Sequence, residues 1–307
     1  MPSPSDPRAT TRLRQLLARG PVLAASVYDP LSARLAELAG FDALHLTGFG
    51  AEAAMLAAPD MGVYTMTELA GLASRMTQAV DLPILSDADT GFGGVNNIAR
   101  TIATMERAGL AGVHIEDQSF PKKCPALDGR VVVPREEAVG RIKAAVDARR
   151  DADFVIVART DADIVSIDEA IARANLYLEA GADMAMPVFF NVDGRPYDTL
   201  TPDEQMALFR RLTAGIAGKV MSLGVSPPRG YTAADLGAAG FAFIMFAATP
   251  LMAAMNALKE IFREIGEQGT DEGYFARHPG EYSDALTLMR ALKLDSYIDR
   301  EQRFAKS

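Results

Sequence analysis

The segment ILSDADTGFG, residues 84–93, joins a short apolar run to two aspartates and a glycine-rich turn. An apolar run of this length is typical of a strand buried in a parallel sheet, and the acids would then lie in the loop that follows it. The pattern returns in VHIEDQ, residues 113–118, where Glu116 and Asp117 end another apolar run. Because neighbouring parallel strands end at the same edge of a sheet, we expect these carboxylates to converge on a small volume.

Eight apolar runs of this kind alternate with stretches of helical periodicity. The predicted strands are 22–26, 43–46, 84–87, 112–115, 154–159, 184–187, 220–223 and 243–246. The helical stretches include 30–39, 96–108, 135–148, 168–180 and 201–214. Gly40, Gly109, Gly181 and Gly240 each follow an alanine-rich helix, where a left-handed C-cap is expected. Eight alternating units predict an α/β fold, a (β/α)₈ TIM barrel.

Two further amphipathic helices are predicted after the eighth strand, at 251–265 and 282–294. No linker divides the chain, so we expect one domain over residues 1–307, with the barrel at about 10–265 and a C-terminal helical extension at 266–307. Surplus apolar helices at a chain end often pack on a partner subunit. The extension therefore predicts an oligomer.

Composition narrows the possible partners. The formal net charge of the 307 residues is -9 and the Lys and Arg residues are scattered, which gives no electrostatic footprint for nucleic acid or an anionic membrane. No apolar stretch is long enough to cross a bilayer, and the start of the chain lacks a basic region followed by an apolar one, so we expect a cytoplasmic protein. Cys124 is the single cysteine, which excludes an intramolecular disulfide.

Four acids at neighbouring strand ends repel one another, and protonation or a metal must relieve that repulsion. Mg²⁺ suits an oxygen-only site, because it takes one or two carboxylates, keeps several waters and leaves positions for substrate oxygens. The alternative is that these acids are helix N-caps and solvated loop residues.

The long polar segment 118–130 after the fourth strand holds Cys124 beside Lys122 and Lys123, and a loop of this length is typical of a lid.

Read together, these motifs resemble the isocitrate lyase and phosphoenolpyruvate mutase superfamily, most closely its short methylisocitrate lyase-like branch, from about Leu13 to the helix after strand eight. The residues that carry the resemblance are Tyr28-Asp29, Gly40-Phe41, Pro59-Asp60, Asp87-Ala88-Asp89-Thr90-Gly91-Phe92-Gly93, Ile115-Glu116-Asp117-Gln118, Pro121-Lys122-Lys123-Cys124, Arg159-Thr160-Asp161-Ala162 and Gly181-Ala182-Asp183. The resemblance implies a barrel whose C-terminal helix is swapped within a homotetramer, a Mg²⁺ cofactor with Mn²⁺ as a possible substitute, and chemistry through the enolate of a 2-oxo acid.

The resemblance also implies roles for single residues. Asp87, Asp89 and Glu116 would hold the cation directly or through water, and Asp60 would belong to the same polar shell. Arg159 would face the oxyanion or the chelating carboxylate, unless it forms a structural ion pair with one of the acids. The remaining substrate-binding candidates are Thr47, Gly48 and Phe49, which offer a hydroxyl and backbone N–H donors, and Tyr28, which either places a hydroxyl near the substrate or only packs.

Cys124 is the candidate catalytic residue of the lid. Two neighbouring lysines are expected to lower its pKa by favouring the thiolate. In the lyases that the chain resembles, the matching cysteine transfers a proton to or from the carbon released by cleavage. Lys122 would assist substrate charge as a further catalytic residue, and Lys123 is expected to be solvated. His45 and His114 lie within predicted strands and are expected to be packed, hydrogen-bonded core residues.

Four positions depart from the lyase pattern. Ala126 replaces a histidine, Val188 a glutamate, Leu223-Gly224-Val225-Ser226 an Asn-x-Thr-Glu segment, and Met252 lies where an arginine is expected. A pocket without these groups cannot compensate the desolvation of a distal carboxylate, so isocitrate and methylisocitrate are poor candidates. The sequence therefore predicts a Mg²⁺-dependent carbon–carbon lyase that releases pyruvate or glyoxylate from a 2-hydroxy acid whose second fragment is bulkier and more apolar.

Three other functions stay open at this stage. Phosphonate-forming mutases share the Phe120-Pro121-Lys122 motif, although they carry Asn-Ser where this chain has Cys124. Hydrolysis or decarboxylation of an oxaloacetate-like substrate would form the same enolate. A barrel that binds an oxo acid without turnover is the non-catalytic alternative.

Overall fold

A closed parallel barrel is the main feature of the computed structural model, which describes residues 7–280 and 284–305. Around the barrel the strand order is β1-β10-β9-β6-β5-β4-β3-β2. Its strands are β1 Val22–Val27, β2 Ala43–Leu46, β3 Ile84–Asp87, β4 Gly112–Glu116, β5 Val155–Thr160, β6 Met184–Pro187, β9 Lys219–Met221 and β10 Phe241–Ile244. The predicted TIM barrel and its eight strands are confirmed.

Helices surround the barrel and extend beyond it. They are α1 Ala9–Arg19, α2 Pro30–Leu38, α3 Gly48–Leu56, α4 Met66–Ala79, α5 Val95–Arg107, α6 Arg135–Ala148, α7 Ile167–Glu179, α8 Pro202–Gly215, α9 Ala233–Ala238, α10 Thr249–Gln268, α11 Glu272–Arg277, α12 Ala285–Ala291 and α13 Leu294–Phe304. The four predicted C-cap glycines have φ between 84° and 108°. Among the described residues, no helix is both long and apolar enough to span a membrane.

The last two barrel strands end earlier than predicted. The apolar runs at 220–223 and 243–246 continue past the ladder, so Leu223 and Met245 lie in the loops at the barrel mouth and line a cavity there. Ser222 links these two loops, because its N–H donates to the Phe243 carbonyl (2.8 Å) and its hydroxyl accepts from the Met245 N–H (3.2 Å). A polar segment after β6 forms a hairpin that was not predicted, β7 Asn191–Val192 with β8 Arg195–Pro196.

The apolar core fills the barrel and the layer between barrel and helices. Phe189, Phe209 and Phe241 pack edge to face beneath β6 and β10, with ring centroids 5.1 and 5.5 Å apart. Such aromatic contacts stabilise beyond the area that they bury. This packing fixes the wall from which the loops after β6, β9 and β10 project.

The C-terminal helices differ from the rest. The predicted helix 251–265 is confirmed as part of α10, but Leu251 is its one buried residue. The predicted helix 282–294 begins at Tyr282, outside the described residues, and the remainder is two helices, because Lys293 adopts a left-handed φ of 68° between α12 and α13. Lys293 also donates to the Ala79 carbonyl (3.0 Å), which holds α12 near the barrel's own helices.

The close contact between β4 and β5 can be tested at Gly112. A Cβ on Gly112 would lie 2.5 Å from the Val155 carbonyl oxygen of the paired strand β5, whereas a Cβ on Gly140, inside α6, would meet nothing within 4 Å. We expect Gly112→Ala to lower the free energy of unfolding by about 1–3 kcal/mol through overpacking. Gly140→Ala, the matched control, is expected to raise it by about 0.5–1 kcal/mol. Urea denaturation followed by circular dichroism measures both, and equal effects of the two changes would contradict the strand contact.

Candidate active site

A cavity of about 350 Å³ opens at the carboxyl ends of the barrel strands. Of the predicted site residues, Thr47, Phe49, Asp60, Asp87, Cys124 and Arg159 line it. Three others, Asp89, Glu116 and Lys122, are buried. Lys122 pairs with Asp60 and Asp89, and Glu116 pairs with Arg159. The strand-end loops of a TIM barrel are where its active sites are built.

Lys122 lies at the centre of the acidic cluster. Its side chain is 2% exposed, and its Nζ contacts the Asp60 carboxylate and lies 2.8 Å from Asp89 Oδ1. Asp89 has a left-handed φ of 46°, and its N–H donates to Asp87 Oδ1 (2.9 Å). The lysine predicted to assist substrate charge is therefore paired with two carboxylates of the protein.

Arg159 projects from β5 between two acids. Its guanidinium lies 3.0 Å from Glu116 Oε2, at the end of β4, and donates to both oxygens of Asp161 (2.9 and 3.0 Å). The ion pair weighed as the alternative for Arg159 is therefore present. The same side chain also lines the cavity, so the pairing leaves it in reach of a bound anion.

The cluster carries more negative than positive charge. Two cations, Lys122 and Arg159, contact carboxylates that include Asp60, Asp89 and Glu116. Burial, with the nearby Asp87 charge, raises the pKa of Asp89 to about 7 even though Lys122 opposes the shift. Burial also raises the pKa of Glu116 well above its usual value, against Arg159. Without a further cation, the cluster therefore holds protons.

The acids fit a hydrated dication. Glu116 Oε1 is buried and has no hydrogen-bond partner among the described residues, and Oε2 makes an ionic contact to Arg159 without an aligned hydrogen bond. A Cβ on Gly48 would lie 2.5 Å from Asp87 Oδ2, so the glycine keeps space beside that oxygen. In the described part of the chain, no three His, Cys, Asp or Glu side chains come close enough to hold one metal together. Mg²⁺ held by one or two carboxylates and by water meets these conditions.

Two histidines form the floor of the cavity. His45 and His114 are buried, and their Nε2 atoms lie 3.0 Å apart. Burial lowers the pKa of His45 to about 3 and the pKa of His114 below its usual value, so both rings are neutral. The prediction that they are packed, hydrogen-bonded residues is confirmed, and both also line the cavity.

The prediction that the pKa of the Cys124 thiol is lowered is wrong. Burial, with a further contribution from the Asp60 carboxylate, raises the pKa of Cys124 to about 11. The neighbouring lysines do not lower this pKa, because Lys122 is paired with acids and Lys123 Nζ donates to the Asp128 carbonyl (3.1 Å). Cys124 therefore lines the cavity as a protonated thiol, which can give a proton but is a weak nucleophile.

The three proposed anion-binding residues Thr47, Gly48 and Phe49 lie at the start of α3. Thr47 is its N-cap, and Gly48 and Phe49 lie in its first turn, where unpaired N–H groups and the helix dipole favour an anion. Tyr28 does not line the cavity. Its Cβ packs over Gly50, where an added Cβ would lie 2.7 Å away, so the packing alternative fits its position.

Buried acids that were not predicted hold the loops around the site. The Glu52 carboxylate, on α3, accepts the backbone N–H groups of residues 61 to 64, including those of Met61 (2.9 Å) and Tyr64 (3.2 Å). This fixes the loop that carries Asp60. A lone glutamate in an alanine-rich helix has no motif that would have signalled this role.

The lid is anchored at its far end by Arg130. Its guanidinium donates to both oxygens of Asp163 (2.7 and 3.0 Å) and to Asp161 (3.1 Å).

Asp117, one of the four acids expected to converge, instead accepts from the Tyr177 and Thr160 hydroxyls, at 2.7 Å each. Asp117 therefore links the end of β4 to β5 and α7 by hydrogen bonds.

The wall opposite the acids is apolar. It is formed by Pro125, Ala126, Met186, Phe190, Leu223, Val225, Met245, Ala247, Ala248 and Met252. Three of the four departures from the lyase pattern lie on it. The fourth, Val188, does not, because it is buried in the core just beyond the end of β6. A neighbouring groove of about 490 Å³ between the lid and the hairpin shares Pro125, Ala126 and Phe190 with the cavity.

Comparison with known proteins identifies the family. A family model described as phosphoenolpyruvate phosphomutase matches residues 13–266, and the chain belongs to this family, within the PEP mutase/isocitrate lyase superfamily. The 2-methylisocitrate lyase of Aeropyrum pernix is 42% identical over 298 residues, which cover 96% of this chain and 89% of that protein. The resemblance inferred from the motifs is confirmed.

Two solved structures share the fold over nearly the whole chain. A crystal structure of 2,3-dimethylmalate lyase gives a TM-score of 0.83 at 31% identity and covers 98% of this chain and 96% of that one. Phosphonopyruvate hydrolase in complex with oxalate and Mg²⁺ gives a TM-score of 0.84 at 28% identity and covers 98% of this chain and 100% of that one.

The protonated thiol predicts slow alkylation of Cys124 at neutral pH. Because the thiolate is the reactive form, the rate with iodoacetamide should rise with pH towards a midpoint near 11 in the native protein. In urea the midpoint should fall to about 8.5, the usual cysteine value. Mass spectrometry of the single cysteine gives the rate, and Cys124→Ser is the blank. A native midpoint at or below the urea value would contradict this environment.

Proposed function

We propose that this chain is a Mg²⁺-dependent carbon–carbon lyase that cleaves a 2-hydroxy acid and releases pyruvate or glyoxylate. The observation that carries the proposal is the division of one cavity into a charged half, with Asp87 and Arg159, and an apolar half, with the protonated Cys124 on its lining. The family and the lyase names of its relatives support this reaction class.

The charged half suits the oxo-acid fragment. Arg159 and the N-terminus of α3 offer donors to a carboxylate, and the acids Asp87, Asp89 and Glu116 would hold the cation directly or through water. A bound Mg²⁺ would supply Lewis-acid stabilisation of the substrate oxygens. The neighbour solved with oxalate and Mg²⁺ supports such a pairing in this family.

The cleavage step uses groups of this cavity. A carboxylate that lines it, Asp60 or Asp87, takes the proton of the 2-hydroxyl, and the C2–C3 bond breaks as C2–O becomes a carbonyl. The electron pair leaves with C3 and is delocalised as an enolate into the carbonyl or carboxylate attached to it. The Cys124 thiol then gives its proton to C3. One molecule becomes two with no oxidant or reductant, and Cys124 is the general acid.

The apolar half of the cavity determines which second fragment of the substrate fits. A distal carboxylate would lose its hydration against Met186, Leu223 and Met252 without gaining a cation, so a fragment with one carboxylate and alkyl groups fits better. The neighbour named 2,3-dimethylmalate lyase supports a substrate of this kind. The groove beside Ala126 leaves room for a bulkier fragment.

We also propose that the chain forms a homotetramer in which α10 and the helices after it pack on another copy. Met255, Leu258, Phe262 and Ile265 recur at three and four residues on α10, and each is 47% or more exposed. A continuous apolar stripe of this kind marks an interface. This arrangement matches the swapped helix that the family resemblance implies.

The lyase proposal predicts oxo-acid release from 2,3-dimethylmalate in the presence of Mg²⁺, with a higher kcat/KM than from 2-methylisocitrate. Lactate dehydrogenase and NADH report the pyruvate or glyoxylate formed. Cys124→Ser should lower kcat by at least about 100-fold, because the general acid is lost. An oxo acid released equally fast after exhaustive chelation, or none from a broad panel of 2-hydroxy acids, would overturn the proposal.

The apolar wall is tested by Met252→Arg, which places a charge at the cavity mouth. We expect kcat/KM for 2,3-dimethylmalate to fall about tenfold or more, since the arginine must be desolvated beside the alkyl groups of the substrate. Asn256→Arg, one turn further along α10 and outside the cavity lining, is the matched control and should leave kcat/KM unchanged. Equal effects of the two variants would show that Met252 does not contact the substrate.

The tetramer is tested by light scattering coupled to size exclusion. The parent should elute with four times the mass of one chain, and Phe262→Glu should release smaller species, because a charge is costly in an apolar interface. A monomeric parent at micromolar concentration would refute this part of the proposal.

A further inference from the structure

The mechanism above leaves the two histidines of the cavity floor without a task. His45 lies on β2 and His114 on β4, so the rings meet across the intervening strand β3, which ends in Asp87. The ring planes are within 10° of parallel, and their centroids lie 5.2 Å apart. His114 Nδ1 lies 3.4 Å from Asp87 Oδ1. A chain of contacts thus runs from the cavity floor to a proposed cation ligand.

The geometry fixes where the protons of this chain lie. Two Nε2 atoms 3.0 Å apart cannot both carry a proton, so one ring donates and the other accepts. His114 Nδ1 lies 3.4 Å from Asp87 Oδ1 without an aligned hydrogen bond, and a proton at that nitrogen avoids setting two lone pairs against each other. His114 Nε2 is then the acceptor, and His45 Nε2 is the donor. His45 Nδ1 is left without a proton, and it is buried with no partner among the described residues.

Asp87 is held through one of its two oxygens. Oδ1 faces His114 Nδ1 and also accepts the Asp89 N–H, whereas Oδ2 accepts no hydrogen bond from a described residue and lies beside the space kept by Gly48. A carboxylate fixed through Oδ1 presents Oδ2 in one direction. Partners of this kind orient the carboxylates and imidazoles of metal sites, and their loss weakens metal binding.

We propose that His45 and His114 form a relay, hydrogen-bonded between the two rings and in contact with the Asp87 carboxylate, that positions Asp87 for a divalent cation and ends in a buried acceptor nitrogen, His45 Nδ1. Both are positioning residues. The proposal rests on the proposed function in one respect, that Asp87 contacts the cation.

Amide variants separate positioning from simple packing. In His114→Asn the amide nitrogen can take the place of Nδ1 and keep a donor beside Asp87, and His114→Phe removes that donor. In His45→Gln the amide nitrogen can take the place of Nε2 and keep the bond to His114, and His45→Phe removes it. Circular dichroism of each variant confirms that it is folded.

The first measurement is Mn²⁺ affinity without substrate, by electron paramagnetic resonance. We expect His114→Phe to weaken Mn²⁺ binding at least about tenfold, and His114→Asn to recover most of that loss. His45→Phe should weaken binding less, with recovery in His45→Gln, and the double phenylalanine variant should lose no more than His114→Phe alone, as expected for one pathway. Parent-like affinity in His114→Phe, absent rescue by the amides or additive losses would overturn the positioning role.

The second measurement needs no metal. The chain has three histidines, so ¹⁵N-histidine labelling with solid-state NMR resolves each ring. We expect an Nδ1–H tautomer for His114 and an Nε2–H tautomer for His45, and His278, on the surface, is the reference. Any other pair of tautomers overturns the relay. If the parent bound no Mn²⁺, the positioning role and the proposed function would both fail, while the NMR result would still decide the relay itself.

Discussion

The ammonium group of Lys122, buried among carboxylates, is the interaction on which the rest of the site depends. It joins three segments that are distant in sequence, because Asp60 follows α3, Asp89 follows β3 and Lys122 belongs to the lid. Removing one partner of such a buried pair leaves an uncompensated charge, at a cost of about 3–5 kcal/mol. The position of the lid, and of the cysteine two residues further on, is therefore tied to the charge state of the acids.

The acidic residues of this region divide into two groups. Glu52 and Asp117 are satisfied by hydrogen bonds from backbone and side chains, so they hold loops and strands in place and have little left to offer a ligand. Glu116 is buried with an oxygen that has no partner among the described residues, which is costly unless a ligand compensates it. The distinction between structural and functional acids lies in their unsatisfied oxygens, which sequence position does not reveal.

The barrel and the position of the acids at its mouth were predictable because they depend on local patterns. Buried parallel strands read as apolar runs, and the acids that follow β3 and β4 mark the mouth of the barrel. The errors arise where distant segments meet. Lys122 and Lys123 are adjacent to Cys124 in sequence, yet their charges are taken up by Asp60, Asp89 and a backbone carbonyl, so the pKa of the thiol rises.

The assignment of Val188 failed for a related reason. Side chains alternate between faces only while a strand continues, and β6 ends at Pro187. Beyond that point the chain turns, so Val188 packs into the core and Phe190 reaches the cavity. The same effect brings Leu223 and Met245 to the cavity, although both were placed within strands.

The pKa of the Cys124 thiol depends on the acid cluster, and it bears on whether the proposed cleavage or its reverse is favoured. Burial raises that pKa, and Asp60 raises it further, so the thiol stays protonated, which is the state that the proposed cleavage step requires. The reverse reaction would need the thiolate, which a dication among the acids would favour by reducing their negative field. Lys122 contributes little to this balance, since its charge is matched by Asp60 and Asp89. In the proposed mechanism, cation occupancy and thiol ionisation are therefore coupled through the same carboxylates, and the charge excess that would attract the metal also sets the protonation state of the proposed general acid.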